Sequence, residues 1–117
     1  MGERRWDLED RTEKFAANVR RFVSALPRTL TNQEDARQLI RASGSVAANL
    51  VEANECLGTK DRIMRFRICR KEAKESGLWI RLLDVAETSD LAGQQHALSQ
   101  EAHELKLILT AIIKKLE

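Results

Sequence analysis

A chain of 117 residues, 43% hydrophobic and 32% charged, is one domain's worth and can bury a single core without disulfides or metals. Five glycines, one proline and no tyrosine fit a helical bundle and exclude a disordered tail. The formal net charge of +2 is too small to argue for nucleic acid by itself, so the placement of the cations must carry that case.

Cys56 and Cys69 form neither a CxxC pair nor a zinc spacing, which fits a reducing compartment. No apolar run approaches the roughly 18–20 residues of a membrane span. The first ten residues, MGERRWDLED, are too charged for a signal peptide. A cytoplasmic protein is expected.

A first helix is expected over 7–26. Asp7 reads as its N-cap, with Glu9 and Asp10 at the positive end of its dipole. Leu8, Thr12, Phe15, Val19, Phe22, Val23 and Leu26 recur at spacings of three and four, and Pro27 stops the helix. Thr31-Asn32-Gln33-Glu34 reads as a capping box opening a second helix over 32–56. Its stripe is Ala36, Leu39, Ile40, Ser43, Val46, Ala47 and Leu50, and Leu57-Gly58 closes it.

The third helix is expected over 60–87, with Gly77 as its one weak point, costing about 1 kcal/mol against alanine. Thr88-Ser89-Asp90 is a turn, and a fourth helix over 94–116 carries Leu98, Ala102, Leu105, Ile108, Leu109, Ile112 and Leu116. No stretch alternates with period two, and the connections are short. The expected architecture is all-α: a single domain over 1–117, an antiparallel up-down-up-down, left-handed four-helix bundle.

The third helix is unusual in lacking a clean division into wet and dry faces. Arg67, Arg70, Lys71, Lys74 and Arg81 fall on one sector, with Lys60 on the same side and Ile63, Leu78 and Val85 interrupting it. Arg62 also belongs to the basic run, although it points away from this sector, as Arg65 does. Two apolar arcs fill the rest. Phe66, Cys69, Ala73, Gly77 and Ile80 form one; Met64, Ile68, Trp79, Leu82 and Ala86 form the other.

Two arcs suggest two contacts, the bundle's own core and a second copy of the chain, because an exposed patch holding Trp79 is an aggregation hazard. Glu72 and Glu75 lie in or beside the second arc and need cations or donors if buried. Met64, Ile68, Glu72, Glu75, Trp79 and Leu82 are therefore the candidate oligomer interface. On the second helix, Arg41, Ser45, Asn49 and Glu52 line up as either a solvated face or a polar seam against a neighbour.

Chemistry is poorly supported. His96 and His103 are seven apart, too far for an i, i+4 chelate, and the glycines are isolated rather than gathered in a phosphate loop. Cys69, in an apolar arc, reads as an inert core thiol. No enzyme activity, metal or cofactor is expected. Binding is the better class: seven basic residues between Lys60 and Lys74 face only Asp61 and Glu72. The candidate nucleic-acid contacts are Lys60, Arg62, Arg67, Arg70, Lys71, Lys74 and Arg81. They would attract phosphate backbones through counterion release, with little sequence preference. The competing reading is a structural ion network, in which these cations pair with Glu72, Glu75, Asp84 and neighbouring subunits. The protein would then be a scaffold whose basic helix serves subunit and partner contacts.

SVAANLVEANE (45–55), followed by KDRIMRFRICRKEAKESGLWIRLL (60–83), resembles the small bacterial four-helix bundles known as 23S rRNA-intervening sequence proteins. Ser45, Val46, Asn49, Leu50, Glu52, Lys60, Asp61, Glu72, Glu75, Ser76, Trp79 and Ile80 sit at matching places, and the similarity runs over about residues 8 to 115. Two positions depart from the pattern: Ala53 replaces a common glycine, and Arg62 replaces an aromatic residue. The resemblance implies an antiparallel bundle that assembles as a ring, often a pentamer. A more distant likeness is to the accessory proteins of diversity-generating retroelements, whose basic pentamer engages a reverse transcriptase and nucleic acid. The implied partners are thus further copies of the chain, RNA or DNA, and a reverse transcriptase or another protein, with no membrane.

Overall fold

Four helices follow one another in the computed structural model of the protein, which describes the backbone of residues 2–117 and the side chains of 7–88 and 90–117. They are α1 (Gly2–Ser24), α2 (Leu30–Glu55), α3 (Thr59–Leu82) and α4 (Ser89–Leu116). Among the described residues there is no strand. Each helix packs on its neighbours in chain order, and α1 closes the square on α4. The result is 46 Å long and 23 by 19 Å across.

Side-chain contacts fix the directions. Asn54, near the end of α2, donates to Glu9 near the start of α1 at 2.7 Å. Arg65 reaches Asn49 and the Cys69 thiol reaches the Val46 carbonyl, so α3 descends as α2 rises. Gln95 bonds the end of α3, while Arg67 near its start pairs with Glu117. Neighbouring helices are therefore antiparallel, as the short links at 25–29, 56–58 and 83–88 require.

The apolar stripes read from the sequence make the core. Phe15, Val19 and Phe22 of α1 meet Leu39, Val46 and Leu50 of α2, Cys69, Ala73 and Ile80 of α3, and Leu105 and Leu109 of α4. Thr12 and Ser43 are buried with them by returning their hydroxyls to their own helix backbones. Ile40, Ala47, Ile108, Ile112 and Leu116 sit half-buried at the edges, whereas Ala42, Ala53, Leu91 and Ile113 are buried without having been expected.

Helix ends differ from expectation, each for a physical reason. α1 starts at Gly2, and Asp7 is an exposed residue within it, because nothing between Glu3 and Asp7 breaks a helix. It ends at Ser24 with the Ala25 and Leu26 amides bonded three residues back, the tightening expected just before Pro27. The N-cap of α2 is Thr29, not Thr31: the Thr29 hydroxyl accepts the Asn32 amide at 3.1 Å. α4 runs through Gly93 back to Ser89, since one exposed glycine costs only about 1 kcal/mol and Leu91 gains burial in that first turn.

The largest departure is at the end of α3, which stops at Leu82, not near Glu87. Buried Asn32, from α2, holds Asp84 by both backbone groups. It donates to the Asp84 carbonyl at 2.8 Å and accepts the Asp84 amide at 2.9 Å. Gln95 donates to the Ile80 and Leu83 carbonyls at 2.9 and 2.8 Å, satisfying acceptors a longer helix would have used internally. Two tertiary side chains thus outbid helix propensity. Beyond them, Ala86 and Glu87 turn the chain with φ of 54° and 59°. Val85 is half-buried in this loop and Ala86 is exposed, so neither belongs to a face of α3.

Candidate nucleic-acid interface

Burial of Phe66, Cys69, Ala73, Ser76, Gly77 and Ile80 fixes how α3 is rotated. The first apolar arc faces the core, and the Cys69 thiol within it is pushed up to about 12 by desolvation. It is an unreactive packing group.

With that arc turned inward, Lys60, Arg67, Lys71, Lys74 and Arg81 are exposed and Arg70 is half-buried. Their partners are few. Arg67 pairs with Glu117 at the end of α4, and Lys71 lies 3.9 Å from Glu72. Among the described residues, none gives Lys60, Arg70, Lys74 or Arg81 a side-chain hydrogen bond or ion pair. Asp84 is occupied otherwise, accepting the Ala86 amide at 2.8 Å. Among the described residues, Lys71–Glu72 is thus the one contact of the expected intramolecular ion network that forms, and Arg67 is paired outside it.

Arg62 and Arg65 lie apart from this stripe and are tied to α2. The Arg62 guanidinium donates to the Cys56 carbonyl at 3.0 Å, just past the end of α2. Its Nε is buried without a partner. Arg65 donates to the Asn49 side-chain oxygen at 3.0 Å, and Asn49 in turn donates to the Ser45 carbonyl and hydroxyl at 2.9 and 3.0 Å. Of the four residues read as a polar seam, Ser45 and Asn49 form one inside the molecule, whereas Arg41 and Glu52 are exposed.

The second arc is an open surface. Met64 and Leu82 are 54% and 55% exposed, and Ile68 and Trp79 are half-buried, Trp79 with part of its ring against the core. Glu75 is exposed and Glu72 half-buried among them. Desolvation, and then the charge of Glu75, holds the Glu72 carboxyl above its ordinary range, and Lys71 only partly offsets them.

The sequence reading missed the α4 side. Ser99, Gln100, His103 and Lys106 stand across from Lys74, Gly77 and Arg81, and together they line a cleft of about 330 Å³. Ser99, His103 and Lys106 recur at spacings of four and three, a polar stripe visible in the sequence. Which helix the stripe meets depends on the α3–α4 register.

A family model described as 23S rRNA-intervening sequence protein matches residues 5–111. The chain belongs to that family. It is similar to a crystal structure, at 1.70 Å, of a protein of unknown function from the S23 ribosomal protein family of Bacteroides thetaiotaomicron. The two share 26% identity with a TM-score of 0.74, covering 92% of this chain and 98% of that one. No curated protein matches the chain.

The residues that carry the family resemblance report packing more than recognition. Val46, Leu50, Ser76 and Ile80 are buried, and Ser45 holds the Asn49 amide that accepts Arg65 across the α2–α3 seam. Lys60 alone among them belongs to the basic stripe. Arg62, in place of the family's aromatic residue, lays its guanidinium against the end of α2, and Ala53 is buried where glycine is common. No helix among the described residues is long and apolar enough to cross a membrane.

Proposed function

We propose that this 23S rRNA-intervening sequence protein is a non-catalytic, oligomeric accessory protein that binds RNA or DNA through the basic flank of α3. The observation that carries this reading is the stripe of exposed, largely unpaired cations from Lys60 to Arg81. Desolvated partners would have used up that charge; left in water, it is available for phosphates and for release of their counterions. Phe15, Phe22 and Phe66 are buried and Trp79 is half-buried, so the described aromatic rings offer no platform on which bases stack. Contacts to the backbone alone make recognition largely indifferent to sequence. A reverse transcriptase or another protein is a fitting partner for such a module, working on the same nucleic acid in the cytoplasm of a bacterium.

The opposite flank supports assembly. Met64, Ile68, Trp79 and Leu82 form the apolar part of a surface that suits a second copy, and Glu72 and Glu75 beside them call for cations from that copy. The family resemblance makes a pentameric ring the expected form, with the basic flanks gathered into one positive band. The scaffold reading shares this flank and assigns the cations to subunit contacts instead.

Changing Arg67, Lys71 and Lys74 together to glutamate separates the two. Nucleic-acid binding predicts at least about a hundredfold loss of affinity for a short RNA or DNA strand, with particle size by light scattering unchanged. For the unchanged protein, log affinity should fall against log salt with a slope of about −2 to −4. Dissolution of the oligomer by the triple change would instead establish the scaffold, and a flat salt response would rule out phosphate contacts.

A further inference from the structure

Between α3 and α4 the molecule gathers three basic side chains, Lys74, Arg81 and Lys106, around a floor of Ala73, Gly77 and Ala102. No carboxylate lines this cleft of about 330 Å³, and no described residue pairs with any of the three cations. Gly77 leaves room for one of them, Arg81. A methyl group at position 77 would stand 3.1 Å from Arg81 Nη1, so the guanidinium is folded back over the glycine into the cleft. The same methyl would meet Ala102 at an ordinary 3.7 Å, so helix packing alone does not demand a glycine there. A mid-helix glycine costs about 1 kcal/mol against alanine. Here it leaves room for a charged group.

We propose that the cleft between α3 and α4 seats the terminal phosphate monoester of a nucleic-acid strand, held by Lys74, Arg81 and Lys106 over Gly77. The inference deepens the phosphate-binding reading of α3 and rests on it. Charge selects the monoester. A phosphodiester inside a strand carries one negative charge, whereas a terminal monoester carries about 1.5 to 2 and offers three acceptor oxygens. Arginine supplies a planar fork of donors and each lysine three more, and Ser99 and Gln100 add uncharged donors at the rim. The remaining stripe, Lys60 to Lys71, then follows the diester backbone leading away from that end.

Fluorescence anisotropy with the full chain tests this, using two short single strands that differ only in a 5′-phosphate or 5′-hydroxyl. The phosphorylated strand should bind about tenfold tighter. Adenosine monophosphate should abolish that difference, and adenosine should not. Arg81→Gln should erase the preference while retaining affinity for the hydroxyl strand. Gly77→Ala, which pushes the guanidinium back by a few tenths of an ångström, should fold at least as stably and only weaken the preference. Lys106→Gln, on the other wall, should erase it as Arg81→Gln does, without touching α3.

Equal affinity for the two strands overturns the cleft assignment and leaves the backbone reading standing. Failure of both strands to bind sinks the backbone reading and the strand-end assignment with it. A free monophosphate or inorganic phosphate that binds as tightly as the phosphorylated strand makes the small molecule the occupant, which also overturns the strand end.

Discussion

The two flanks of α3 carry the same residue type to opposite ends. Toward α2, Arg62 and Arg65 are fastened, one to the Cys56 carbonyl and the other to Asn49. Toward α4, Lys74 and Arg81 border an open cleft and make no bond to any described residue. Counting arginines and lysines along the helix gives one basic run; the structure divides it into cations that hold the bundle together and cations that do not. The lesson is that a basic helix is informative only after its charges are sorted by partner. Hydrogen bonds to the neutral Cys56 and Asn49 acceptors pin Arg62 and Arg65 in place without cancelling their charge, whereas the unfastened cations beside the concave surface are free to reach a ligand there, where the field is focused.

The sharpest way to break this division is to truncate one cation from each flank and compare stability with binding. Arg65→Ala removes the Asn49 tie across the α2–α3 seam, and urea unfolding should show a loss of about 1–2 kcal/mol. Its affinity for nucleic acid should change little. Lys74→Ala should leave stability within about 0.5 kcal/mol while weakening the nucleic-acid complex. Equal stability losses for the two would erase the distinction between flanks.

A smaller effect sharpens it. Ser76 lies between the flanks, fully buried, with its hydroxyl unpartnered. A buried donor without an acceptor costs about 1–3 kcal/mol, so Ser76→Ala should raise stability by up to about 1 kcal/mol after the lost contacts are counted. A loss of stability on that change would mean the hydroxyl has a role that the Arg65 comparison does not capture.

Much of this was legible in the residues. The spacing of Phe66, Cys69, Ala73, Gly77 and Ile80 set the rotation of α3, and rotation alone directs Arg62 and Arg65 away from the basic sector. Met64 and Leu82 are as exposed as a second arc requires. Two things were hidden, both because they depend on residues far along the chain. Helix α3 ends early because Asn32 and Gln95 capture backbone groups, and no local pattern in 80–87 announces either. The cleft needs the register of α4 against α3, so Ser99, His103 and Lys106 read as ordinary solvent-facing polarity until that register places them opposite Gly77. Local periodicity encodes which face is wet; only packing decides which wet faces meet.

The subtlest contrast concerns the carboxylate on the fastened side. Glu72 is half-buried beside Ile68 and Trp79, with Glu75 adding repulsion and only Lys71 opposing it. Its folded-state affinity for a proton is thus raised above the ordinary carboxylate value. Such a group favours folding fully when pH is below its unfolded value, and that contribution is lost as pH rises through the raised folded value. Glu72→Gln keeps the shape and removes the titration. The stability of the variant minus that of the parent protein should therefore grow as pH climbs from about 4 to 7, by urea unfolding in dilute solution. A difference independent of pH would show that the carboxyl is well solvated. Concentration adds a second axis. If another copy covers this flank and brings a cation to Glu72, the folded value drops below the ordinary range, and the trend with pH reverses as protein concentration rises. The same titration then reads the assembly face of α3 through a single proton, with no change to the cations on the other flank.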